Sequence, residues 1–159
     1  MSEPQERKAN TLDIAGIKDL LPHRYPILLV DRILDFEPGV WIRGIKNVTI
    51  GEQIFLGHFP KQPVFPGVLI VEAMAQTGGC LMLQGLPERH SKLLYFMSID
   101  NVKFRKPVVP GDQLVMECKV LSHKGKICKL RGEAFVDGQK VAEAEFMSMM
   151  VEAPKSEEK

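Results

Sequence analysis

Cysteine is scarce in this chain: Cys80, Cys118 and Cys128 are odd in number and lack C-x-x-C spacing. That argues against a zinc site or a disulfide framework and reads as reduced core thiols. No apolar run reaches membrane-spanning length, and no N-terminal stretch has the basic-then-apolar build of a signal peptide. Membrane insertion is therefore not expected, and the cytoplasm is the expected compartment. Charge of one sign is also lacking: 21 Lys and Arg against 20 Asp and Glu leave a formal net charge of +1. With no face obviously dominated by basic residues, a general nucleic-acid binder is disfavoured. There is no internal repeat and no second composition regime, so 159 residues with 45% hydrophobic content form one domain with room for a core. It is expected over residues 11–151, between polar tails at 1–10 and 152–159 expected to be poorly ordered.

Punctuation by proline and glycine divides that domain. A short amphipathic helix is predicted from an N-cap at Thr11 or Asp13 to Leu21, stopped by Pro22. Residues 27–36 and 40–50, separated by Glu37-Pro38-Gly39, read as a hairpin. A long helix runs from Val68 to about Gly85. Its residues are apolar nearly all round, which predicts burial. Gly78-Gly79 in its middle costs helix propensity, which suggests that a sheet or another helix presses on the backbone there. Four further strands are predicted at 93–104, 112–122, 126–137 and 140–151, with turns at 107–111, 123–125 and 137–138. The fold class is α+β: about six antiparallel strands around one central buried helix.

The chemistry concentrates in residues 57–76, where three prolines force an irregular, low-entropy loop between His58 and the helix. The helix N-terminus presents unpaired N–H groups, so the amide of Gly67 or Val68 could stabilise the oxyanion of a thioester or ester carbonyl. Neutral His58 could then take the proton α to that carbonyl near pH 7. Glu72 and Gln76, four apart, share a helix face. Glu72, partly desolvated and so inclined to a raised pKa, could protonate a leaving group on the β-carbon. Abstraction at α with protonation at β is an elimination of water. Taken alone, Glu72 is equally readable as half of a structural ion pair. His23, His90 and His123 lie in a Pro-flanked turn, a polar loop and a hairpin turn, and read as structural or exposed. Lys103-Phe104-Arg105-Lys106 is a basic cluster at a strand end, where charge also guards a solvated edge against aggregation.

Several motifs together carry a family resemblance: Leu21-Pro22-His23-Arg24-Tyr25-Pro26, Leu29-Val30-Asp31-Arg32, Gly57-His58-Phe59-Pro60, Pro66-Gly67-Val68-Leu69, Glu72-Ala73-Met74-Ala75-Gln76 and the stretch from Lys103 to Asp112. Over residues 17 to 151 the chain resembles the bacterial (3R)-hydroxyacyl-[acyl-carrier-protein] dehydratases of fatty acid synthesis, the FabZ type. The resemblance implies a hot-dog fold and a dimer that assembles as a trimer of dimers. It implies an active site at the dimer interface, with His58 as base from one chain and Glu72 as acid from the other. It further implies Gly67 or Val68 as carbonyl-polarising donor, Gln76 as partner of Glu72, and Tyr95 and Phe96 as residues lining or gating an acyl tunnel. The implied partner is an acidic acyl carrier protein, met by Arg105 and Lys106 with Lys103 beside them. No cofactor and no metal are expected. Two other readings share the fold: a hot-dog thioesterase, and a non-catalytic module that binds acyl thioesters. The first needs a carboxylate and water arranged for hydrolysis, and the second leaves Glu72 unexplained.

Overall fold

The computed structural model describes residues 8–155. The side chain of Asp13 accepts a hydrogen bond from the Gly16 amide at 2.9 Å and caps α1 (Ile14–Leu20), which buries Ile17 and Leu20 and ends before Pro22. An antiparallel hairpin follows, β1 (Arg32–Glu37) and β2 (Trp41–Asn47). Its first strand is shorter than expected at the N-terminal end, and the reason is local. The carbonyl of Ile27 and the amide of Leu29 are both taken by the side chain of Gln76, so they have no part in a ladder. At the other end β2 stops at Asn47, because Val48 turns its backbone to Gly111 and Asp112.

The long helix, α2 (Gly67–Leu83), starts at Pro66, whose carbonyl accepts from the amides of Leu69 and Ile70. It ends before Gly85, which sits at φ +77°, a left-handed conformation that stops helices. Four strands complete the chain: β3 (Lys92–Phe104), β4 (Gln113–Lys124), β5 (Ile127–Val136) and β6 (Gln139–Glu152). The six strands form one antiparallel sheet in the order β1-β2-β4-β5-β6-β3. The chain therefore leaves α2 at one edge of the sheet and re-enters next to β2 in its other half.

The helix packs on one face of this sheet. Met74, Met116, Leu130 and Phe146 are buried between them, each contributing about 2 kcal/mol by removal from water. The Cys118 thiol donates to the carbonyl of Met74 at 3.1 Å. A Cβ on Gly78 would lie 2.6 Å from Leu130 Cδ1, so the predicted pressure on the helix backbone comes from β5. All three cysteines are free and buried, and burial pushes their thiols up, that of Cys80 to about 12.

The tails expected at 1–10 and 152–159 lie mostly outside the described residues. At their inner ends the Asn10 side chain donates to the carbonyl of Phe36, Glu152 closes β6, and the Ala153 amide bonds to Ser91. No helix among the described residues is long and apolar enough to cross a membrane. Among the described residues the outer edge of β3 is uncovered. Along it Tyr95, Phe96, Met97, Ile99, Val102 and Phe104 are all exposed.

Candidate active site

His58 is held from both sides of its loop. A 3-10 turn at Gln53–Leu56 precedes it, and the carbonyl of Ile54 accepts from the His58 amide at 3.0 Å. That turn is anchored by Glu52, which receives the Thr49 amide at 3.0 Å and pairs with the nearly buried Lys46 at 3.1 Å. Phe55 and Phe65 pack ring against ring at 6.3 Å, and the Phe65 amide bonds to Val108. The loop then closes on itself, with the Val64 amide donating to the His58 carbonyl. His58 Nδ1 lies 2.6 Å from the carbonyl oxygen of Val64. A carbonyl can only accept, so Nδ1 carries the hydrogen and Nε2 of the neutral ring keeps its lone pair. The Phe59 ring stacks on the imidazole at 4.0 Å and further fixes its plane.

Beside His58, Gly67 and Val68 open α2, where no preceding turn supplies acceptors for their amides. Phe104 fills the space a side chain at Gly67 would need, 2.7 Å from the position of its Cβ. His58, Gly67, Val68, Phe104, Arg105 and Lys106 border one open groove.

Glu72 stands one turn further along, on a different depression. Its Oε1 accepts from Gln76 Nε2 at 2.9 Å, and 23% of its side chain remains exposed. Gln76 is fully engaged: the same nitrogen donates to Ile27 at 2.7 Å, and its oxygen accepts from the Leu29 amide at 2.9 Å. Glu72 thus sits on an amide that is itself bolted to backbone. It faces a cavity of about 250 Å³ walled by Leu21, Leu83, Leu94, Tyr95, Phe96 and Phe146. Tyr95 and Phe96 therefore line the Glu72 cavity, and the Phe96 ring meets Phe146 edge-on at 6.2 Å.

His58 and Glu72 line separate depressions within one chain. The basic residues divide as well. Arg105 is committed to Glu143 at 3.1 Å and Lys106 bonds to Gln139, while Lys103 lies on β3 opposite Glu143 and outside both depressions.

His23, read from the sequence as structural or exposed, is at the site. Its Nε2 lies 3.6 Å from Glu72 Oε1, and it lines the same cavity, while its Nδ1 is buried with no partner among the described residues. Burial holds its pKa below the ordinary imidazole value; Glu72 opposes this and Arg24 adds to it. His23 lies in the Leu21–Pro26 motif, but nothing in that motif links it to Glu72, 49 positions further along the chain; the packing of the 21–28 loop on α2 joins them.

The model of the FabA-like domain matches residues 21–145 of this chain. The chain is 53% identical over 152 residues to the 3-hydroxyacyl-[acyl-carrier-protein] dehydratase FabZ of Granulibacter bethesdensis, covering 94% of this chain and 89% of that protein. It is 50% identical over 157 residues to the FabZ of Helicobacter hepaticus, covering 91% and 93% respectively. Among solved structures it is similar to the dehydratase heterocomplex ApeI:P from Xenorhabdus doucetiae, with TM-score 0.71, 19% identity and coverage of 89% of this chain and 93% of that one. It is also similar to a hot-dog-like protein from Thermanaerovibrio acidaminovorans, with TM-score 0.60, 20% identity and coverage of 74% and 84%. These two likenesses establish the hot-dog fold.

Proposed function

The chain belongs to the FabA-like domain family and is a 3-hydroxyacyl-[acyl-carrier-protein] dehydratase of fatty acid biosynthesis, and from that premise we propose that His58 and Glu72 perform the elimination. The observation that carries the assignment is the fixed tautomer of His58, with Nδ1–H on the Val64 carbonyl and Nε2 free to accept a proton. The substrate carbonyl sits at the start of α2, where the amides of Gly67 and Val68 bear its growing negative charge. His58 Nε2 removes a proton from C2, and the C–H electron pair becomes the C2–C3 π bond. The C3–O bond breaks, and the hydroxyl leaves as water with the proton of Glu72. Gln76 donates to Oε1 of Glu72, which leaves Oε2 to hold that proton. The imidazolium then releases its proton and Glu72 regains one, restoring both groups. The hydrocarbon tail of the acyl group lies in the cavity walled by Leu21, Leu83, Leu94, Tyr95, Phe96 and Phe146.

The site is composite, with His58 from one protomer and Glu72 from its partner. Two features support this: the two residues line different depressions of one chain, and β3 offers an uncovered, apolar edge to a second copy. Tyr25, Ile50 and Leu56, none of them part of β3, are also well exposed and would serve the further contacts of a trimer of dimers. Residues 11–151 act as the one catalytic domain, in the cytoplasm. The acidic carrier protein is drawn to Lys103, Arg105 and Lys106; the latter two border the His58 groove.

Complementation tests the composite site. His58→Ala and Glu72→Gln each lower dehydration, followed as conjugated enoyl absorbance, by about a hundredfold or more. Mixed after subunit exchange, the two inactive variants recover activity, because one hybrid site in each mixed dimer holds both residues. No recovery, with heterodimers verified by mass spectrometry, would rule out sharing of the site between chains.

A further inference from the structure

Gly78 and Gly79 are adjacent in α2 and do different things. A Cβ on Gly78 collides with Leu130 at 2.6 Å, so that glycine is required by close packing against the sheet. A Cβ on Gly79 meets only side-chain ends, Leu21 Cδ2 at 3.3 Å and Leu94 Cδ1 at 3.6 Å, and both of these leucines wall the Glu72 cavity. Gly79 borders that cavity too. It lies on the helix stripe formed by Glu72, Ala75, Gln76, Gly79, Met82 and Leu83, all of which line it. Seven residues separate Gly79 from Glu72, so Gly79 lies almost directly above it, about 10 Å along the axis. A helix interior disfavours glycine, and the neighbours of this one, on the 21–28 loop and on β3, are flexible side-chain ends and not a close contact of the kind that forbids a methyl group at Gly78. The missing side chain leaves the helix backbone itself as the cavity wall between Leu21 and Leu94.

We propose that Gly79 is the specificity-determining residue for acyl chain length, its missing side chain leaving the gap through which the tails of long substrates pass beyond the reaction centre. The inference rests on the dehydratase reading and on that cavity as the place of the acyl tail. A short chain ends before reaching the Gly79 level, whereas a long one must pass it. A methyl group there narrows the gap against two leucines, and a branched side chain closes it.

The experiment compares kcat/KM for 3-hydroxybutanoyl and 3-hydroxydodecanoyl thioesters of the carrier protein in wild type, Gly79→Ala and Gly79→Val. The ratio of long-chain to short-chain kcat/KM is expected to fall about tenfold in Gly79→Ala and further in Gly79→Val, the range that one or two misplaced methyl groups command in an apolar pocket. Alanine is the better helix former, so Gly79→Ala retains its fold, which a thermal melt followed by circular dichroism verifies. An unchanged ratio in a folded Gly79→Ala protein, whether from equal losses or from none, overturns the inference while leaving the dehydratase reading intact. Wild-type protein that dehydrates neither thioester overturns that reading, and the inference with it.

Discussion

Replacing Gln76 by leucine should separate the two tasks of that side chain. The amide is 2% exposed and makes three hydrogen bonds, to the Leu29 amide, the Ile27 carbonyl and Glu72. Leucine is of similar size and leaves all three partners without it. The Leu29 amide is in a residue only 5% exposed, where a lost partner costs the full desolvation penalty of about 1–3 kcal/mol. Ile27 is 42% exposed, so water can reach its carbonyl and that loss is nearer about 1 kcal/mol. The sum, about 2–4 kcal/mol, is a large share of the roughly 5–15 kcal/mol by which domains are stable. Urea unfolding at one fixed protein concentration measures it, the concentration being held because association of any protein with itself makes its apparent stability depend on concentration. Glu72 also loses the donor that fixes its Oε1, so kcat should fall in protein that is still folded at low temperature, with KM moving less. A destabilisation below about 1 kcal/mol together with wild-type kcat would refute the reasoning. It would mean that neither the 27–29 backbone nor Glu72 depends on this amide.

The remaining predictions concern charge. His23 titrates in the folded protein below its ordinary value of 6.5, chiefly through burial, so the stability it confers is present above 6.5 and lost as pH falls through the lower folded value. Denaturation between about pH 7 and pH 5 should show this loss, less steeply in His23→Asn; parallel curves for the two proteins would remove His23 as the source. Reversing Lys103 and Lys106 to Glu should raise KM for carrier-protein substrates by an amount that shrinks with added salt, and should scarcely affect a small soluble thioester. Equal losses on both substrates would show that these lysines support the fold or the site. Arg105 is unsuitable for that test. Arg105→Glu would set a carboxylate against Glu143, which is 6% exposed, and a fall in thermal stability is the expected result.

How much was legible in the sequence follows from the range of the forces involved. Proline, glycine and apolar periodicity act over a few residues, and they placed α2 and β3 to β6 to within two residues at every end. The link between Glu72 and Gln76 was legible for the same reason, because four residues on a helix always share a face. Residues 27–31 misled because their pattern is that of a strand, while the backbone partner that decides the matter, Gln76, is contributed by an element some 49 residues away. The packing of the 21–28 loop on α2 likewise brought His23 to Glu72. Salt-bridge geometry tied Arg105 to Glu143, where the sequence showed only a basic cluster. Strand order, the uncovered edge of β3 and the separate depressions of His58 and Glu72 are equally products of tertiary structure. The sequence by itself determined the local elements and the shared helix face of Glu72 and Gln76, because those depend on neighbours along the chain. Which side chains meet, and which sheet edge stays uncovered among the described residues, only the folded sheet could decide, since long-range contacts carry no local signature.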